Sequence, residues 1–232
     1  MAIFARLVTR MAKPPPCLNV ANFACKLHRD HDSDQKGHVI PSLSDAYFFG
    51  YGSLVNRDTH VFDAAHPAQL RGWRRVWRHT ELRPVAFLTV VPDPASTIDG
   101  LIAAVPGADW PALDEREAAY ARVPAHDQVN HSLPHRPEIA VYSIPEGAHG
   151  SPSAAHPILL SYLDVVVQGY AREFGPEGVA RFFDTTHGWE APILDDRADP
   201  RYPRHQTLSA AERVLADEHL ERVNARLIRD TP

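Results

Sequence analysis

Sulfur is scarce in this chain: 232 residues hold two cysteines, Cys17 and Cys25, and two methionines. So few cysteines exclude a disulfide framework as the basis of stability and fit a reducing, cytoplasmic setting. Long apolar runs are missing too, none nearing the roughly 20 residues that cross a bilayer, so no membrane partner is expected. The opening MAIFARLVTRM has two arginines but no long apolar core, and is not read as a secretory signal. Basic residues are in deficit, with 24 Lys and Arg against 29 Asp and Glu and a net charge of −5. That removes the excess a nucleic-acid partner requires. There is no third glycine for a dinucleotide fingerprint, no Gly-Lys-Ser/Thr phosphate loop and no G-x-S-x-G elbow. What remains is ordinary for a globular protein, 44% hydrophobic and 23% charged. The length fits one sizeable domain with appendages, or two small domains.

Residues 1–44 lack periodicity. They hold Pro14 to Pro16 and the polar run RDHDSDQKGH, and are expected to form a disordered or loosely packed tail. Met11 is an alternative start. Cys17, Cys25, His28 and His31 are metal-capable types without a zinc spacing, so no metal site is assigned.

From Tyr47 the character changes. YFFGY (47–51), QLRGWRRVWRHT (69–80), VAFLTVVP (85–92) and DGLIAAVP (99–106) predict four strands. ADWPALDEREAAY (108–120), with Asp109 as cap and Pro111 early, predicts a helix. RVPAHDQ (122–128) and EIAVYSIP (138–145) predict two more strands. The order β-β-β-β-α-β-β suggests an α+β domain at 45–150, a small mixed β-barrel with one packed helix. Residues 151–232 predict a helical extension: a helix over 156–175 stopped by Gly175 and Pro176, a second over 176–183, an irregular stretch at 187–206, and a last helix over 208–228 capped by Ser209.

At 100° per residue, Trp110, Leu113, Glu117 and Tyr120 share one face of the 108–120 helix, so Glu117 occupies the apolar stripe. A buried carboxylate is costly unless paired or protonated, and desolvation raises its pKa towards the range of a general acid/base. A salt bridge to Arg116, Arg122 or another arginine explains the same placement. Tyr51-Gly52-Ser53-Leu54 ends the first strand in a loop whose backbone N–H groups suit a carboxylate; a tight turn with no ligand has the same pattern.

Together, Tyr51-Gly52-Ser53-Leu54 and Leu113-Asp114-Glu115-Arg116-Glu117-Ala118 resemble the γ-glutamylcyclotransferase-like family, whose first strand ends in a Tyr-Gly-Ser loop and whose glutamate lies in a Leu-Asp-x-x-Glu-Gly segment. The strands GLIAAVP and IAVYSI flank the helix as in that family, and the resemblance spans about 47–145. Ala118 stands where the family has Gly. The resemblance implies an enzyme that releases 5-oxoproline from a small γ-glutamyl compound, glutathione among the options. The substrate's α-amine attacks its own γ-carbonyl, with Glu117 as base and then acid and no cofactor. It implies Tyr51, Gly52, Ser53 and Leu54 as the substrate grip and Tyr142 as a pocket neighbour. Tyr120 could pack over Glu117 or staple the helix end. Arg197 and Arg204, in the long irregular segment, are candidates for the pocket rim, where either could meet a carboxylate. A γ-glutamylamine or other γ-glutamylated metabolite as substrate, and a non-catalytic module that binds small carboxylates, stay open. The sequence fixes no oligomeric state.

Overall fold

The computed structural model describes residues 46–62, 64–80, 84–117, 119–147 and 149–229. The expected N-terminal tail, with its cysteine and histidine set, and Ala118 lie outside them.

Strand β1 (Ala46–Gly50) is buried along its whole length, because it lies in the middle of a sheet covered on both faces. It pairs antiparallel with β3 (Ala86–Val105) and parallel with β6 (Ile139–Ser143). β3 pairs in turn with β2 (Ala65–His79). The two strands predicted at 85–92 and 99–106 are therefore one long strand. It passes through Pro92 and Pro94 where the β2–β3 register shifts between Arg71 and Trp73. Gly72 sits at that shift with φ +78, a bulge conformation open to glycine, and there the ladder asks nothing of the missing proline N–H groups.

The sheet is completed by β4 (Ala121–Pro124), β5 (Val129–His131) and β8 (Thr186–His187), in the order β4-β6-β1-β3-β2-β5 with β8 also on β2. The sheet is mixed, as expected, but the barrel does not close: among the described residues β4 and β5 are not paired with each other. They are consecutive in sequence at opposite ends of the order, so the sheet curls until four residues span the gap, at most about 18 Å of extended chain. That turn bonds both edges, Ala125 N–H to Ile139 O at 2.8 Å and Arg71 N–H to Gln128 O at 3.0 Å. The closing strands are too short to form a ladder, and a turn takes its place.

Helix α1 (Trp110–Arg116) follows β3, with the Asp109 carboxylate capping Ala112 N–H. It is shorter than the predicted 108–120, because the chain must turn to enter β4. Helix α2 (Leu160–Asp184) kinks at Gly175 (φ +68), ahead of Pro176, so the two predicted helices are two arms of one element. Its first arm is buried on most of its circumference and shares one core with Phe48, Phe49 and Leu88. Helix α3 (Ala210–Arg222) begins with a capping box between Ser209 and Glu212. It stops before the predicted 228: Asn224 takes φ +51, and Arg226–Ile228 forms strand β10. β10 joins β9 (Pro192–Leu194) and β7 (Ile158–Leu159) in a small parallel sheet, so the predicted irregular and helical segments both contribute strands. No described helix is long and apolar enough to cross a membrane.

Candidate functional site

The chain leaves β1 at Gly50, and Tyr51 to Val55 turn sharply under α2. Tyr51 is buried; its hydroxyl donates to Tyr142 O at 2.7 Å and accepts from the Thr89 hydroxyl. Ser53–Val55 forms a single 3-10 turn. Asn56, 1% exposed, ties this loop to α2 by donating to Val165 O at 3.0 Å and Gln168 Oε1 at 2.9 Å. The close approach needs Gly169, where a Cβ would stand 2.7 Å from Asn56 N. Arg57 to Glu173 and Arg172 to Asp58 cross-tie the same two elements at the surface.

Glu117 is half-buried and occupies the C-cap of α1, its backbone N–H bonded to Leu113 O at 3.0 Å. The expectation of a mid-helix stripe is corrected: Glu117 ends the helix. Its negative charge reaches the hydroxyls of Tyr51, Tyr142 and Tyr162. Burial leads in holding all three phenols above their ordinary value, joined at Tyr142 by its hydrogen bond to Asp114, so they are neutral hydroxyls near pH 7.

Tyr162, in the first turn of α2, lies against the loop and feels the charge of this acid. Its hydroxyl lies beside the Ser53 N–H, and it stands 2.5 Å from where a Cβ on Gly52 would lie. Tyr202 packs edge-on against Tyr162, with ring centroids 5.0 Å apart, and donates to Ser53 Oγ at 2.9 Å. Arg204 Nε donates to Tyr202 Oη at 3.2 Å, and its charge also acts on Tyr162. Arg204 has no carboxylate partner among the described residues.

Tyr202 is placed by Asp196. This buried carboxylate accepts Ser161 N–H at 2.7 Å, Ser161 Oγ–H at 2.6 Å and Arg201 N–H at 3.0 Å, so one charge caps the start of α2 and folds the 196–202 turn over the loop.

Of the residues singled out in the sequence, Tyr51, Gly52, Ser53, Glu117, Tyr142 and Arg204 converge here. Leu54 is half-buried beside them, and its carbonyl is 3.1 Å from His60 Nε2. Tyr142 donates to Asp114 Oδ1 at 2.6 Å, which holds the helix bearing Glu117 against β6. Tyr120 donates to Leu88 O at 3.1 Å and lies edge-on to Phe87, an anchor for the turn into β4. Arg197 is engaged elsewhere: it grips Asp164 through two 2.7 Å bonds and Asp217 through one of 2.6 Å, tying α2 to α3. Burial works against its charge, but these two carboxylates overcome it and hold the guanidinium above its ordinary pKa. Tyr162 and Asn56 were not singled out in the sequence, and Tyr202 stood out only as one member of the irregular 187–206 segment. Among the described residues no group of three His, Cys, Asp or Glu is placed to hold a metal ion.

No family model matches the chain, and no curated protein matches it. Among solved structures it is similar to a γ-glutamyl cyclotransferase, at 13% identity over 75% of this chain and 99% of that one, with a TM-score of 0.49. An uncharacterised human protein is similar at 14% identity over the same shares, with a TM-score of 0.48. A glutathione-specific γ-glutamyl cyclotransferase from yeast is similar at 14% identity over 77% of this chain and 99% of that one, with a TM-score of 0.36.

Proposed function

We propose that this protein is a 5-oxoproline-forming cyclase of γ-glutamyl compounds. The observation that carries the proposal is the placement of Tyr162: its hydroxyl lies beside the Ser53 N–H and in the field of the Glu117 charge. The loop and the acid, 64 residues apart in sequence, thus address one spot.

The reaction needs no protein nucleophile. The α-amine of the glutamyl group attacks its own γ-carbonyl, the ring closes, and the C–N bond to the leaving group breaks. Holding the chain bent supplies much of the rate as effective molarity. Glu117 takes the proton that the α-ammonium must lose and returns one to the departing nitrogen, so protons balance over the cycle. The Gly52 N–H, which has no hydrogen-bond partner among the described residues, is a donor for the substrate carboxylate or the developing oxyanion. The neutral hydroxyl of Tyr162 sits beside it and can donate or accept. Arg204, a cation without a carboxylate partner next to Tyr202, favours a leaving group that carries its own carboxylate, an amino acid or peptide over a simple amine.

The test is 5-oxoproline release from γ-glutamyl amino acids, glutathione and γ-glutamylamines, with Glu117→Gln beside the wild type. Loss of product in the variant supports the proton role.

A further inference from the structure

Arg75, midway along β2, has no exposed surface. Its guanidinium is always charged, and burying such a charge is costly unless it is paired. No carboxylate answers it among the described residues. Asp99 lies beside it, but that carboxylate is taken by Gln69 Nε2 at 2.9 Å and Arg181 Nε at 2.7 Å; Arg75 reaches only the Asp99 backbone carbonyl. Its other partners are neutral: Thr185 Oγ1 at 2.8 Å, the Tyr170 hydroxyl at 2.5 Å and the Tyr51 carbonyl at 3.2 Å. The rings of Tyr170 and Phe182 lie 5.0 and 5.1 Å from its central carbon.

The consequence falls on Tyr51. Its carbonyl faces Arg75 Nε and the Tyr170 hydroxyl, which is 3.1 Å away and shares its proton with Asp99 O. Two donors on one carbonyl fix the plane of the Tyr51–Gly52 peptide. That peptide is trans, so its N–H points opposite to its C=O. The Gly52 N–H is therefore turned away from Arg75. A cation bonded to the carbonyl polarises the peptide and makes its N–H a stronger donor in a dry surrounding.

We propose that Arg75 is a positioning residue that holds and polarises the Tyr51–Gly52 peptide, so that the Gly52 N–H is presented to an anionic group of the ligand. This rests on the loop being the ligand grip of the cyclase reading above. Arg75 touches no substrate; it acts through the peptide. A purely structural role would be served at lower cost by an apolar side chain at this position.

The test uses the full chain, 5-oxoproline as the probe, and the Gly52 backbone amide as the reporter in ¹⁵N spectra. In wild type the Gly52 amide should shift saturably as 5-oxoproline is added. In Arg75→Lys, which keeps the charge but not the directed N–H, half-saturation should rise at least tenfold. Any substrate the wild type turns over should lose about 10- to 100-fold in kcat. Tyr170→Phe, which removes the companion hydroxyl and leaves Arg75, should show a smaller change of the same kind and stands in if the lysine variant does not fold. An unmoved Gly52 amide in wild type overturns the proposal. So does an equal response in wild type and both folded variants. If no γ-glutamyl compound is turned over yet the Gly52 amide still answers 5-oxoproline in an Arg75-dependent way, the cyclase reading fails and this one stands.

Discussion

The Tyr202 hydroxyl donates to Ser53 Oγ at 2.9 Å, across 149 residues of chain. One turn of the C-terminal segment thereby lies on the loop that ends the first strand. Two residues of that segment have opposite duties: Arg197 locks it to α2 and α3, and Tyr202 reaches the site.

Their substitutions should separate accordingly. Arg197→Ala strands Asp164, whose side chain is 8% exposed, and should cost about 3–5 kcal/mol, the usual loss on breaking a buried pair. At about 2–4 °C per kcal/mol for a chain of this size, the melting midpoint should fall by roughly 10 °C. Tyr202→Phe loses two hydrogen bonds, one to Ser53 Oγ and one from the exposed Arg204, about 1–2 kcal/mol together, and should melt only about 2–8 °C lower. Its KM for a γ-glutamyl substrate should nonetheless rise about threefold to tenfold. Melting curves and steady-state kinetics on both variants check the contrast.

Gly52→Ala places a Cβ 2.5 Å from the Tyr162 hydroxyl, nearer than non-bonded atoms approach. The variant should lose stability, by about 1–3 kcal/mol as overpacked sites do. Tyr162→Phe removes the obstructing oxygen. The double variant should therefore melt above the level that summing the two single losses gives, a coupling readable by a double-mutant cycle. Strict additivity would mean that the loop and Tyr162 do not touch.

How far the sequence exposed all this depends on the residue. β1 was legible because a central strand buried on both faces must be continuously apolar. The fused β3 was not, since two prolines read as a break until the bulge at Gly72 made room for them. Glu117 stood out in the sequence by its motif and apolar neighbours, although it caps a seven-residue helix where a longer one was expected. Tyr162 and Gly169 lie on the inward face of α2, where an aromatic and a small residue look like packing alone. Tyr202 had company in a polar loop, and only the capping role of Asp196, invisible without the start of α2, shows why it points at Ser53. Asn224 gave the one local sign that the last helix would stop before 228.

Stability should fall with mild acid. The His219 ring stacks on Phe183 at 4.9 Å, and its Nδ1 is buried without a hydrogen-bond partner. Burial first, and the Arg222 charge second, push its pKa below 6.5, while Asp184 and Glu218 pull the other way. His131 and His149 are depressed as well, burial again leading. A base whose folded pKa is depressed binds fewer protons when folded. Its contribution is present above about pH 6.5 and is lost as pH falls through the folded value. The melting midpoint should therefore drop between pH 7 and pH 5, above the range where ordinary carboxylates titrate. In His219→Phe, which keeps the stack, the drop should be smaller; an unchanged slope would remove His219 from the account.

The central claim is that Glu117 and the Tyr51–Leu54 loop form one catalytic site, and the most direct measurement is 5-oxoproline release by wild type and by Glu117→Gln on a γ-glutamyl panel. The account predicts product from at least one substrate bearing a leaving-group carboxylate. It also predicts a loss of at least about 100-fold in the variant, in the range a positioned general base contributes, with its melting midpoint little changed. Equal release by the two proteins would contradict the role given to Glu117, and no release from any panel member would contradict the cyclase assignment itself.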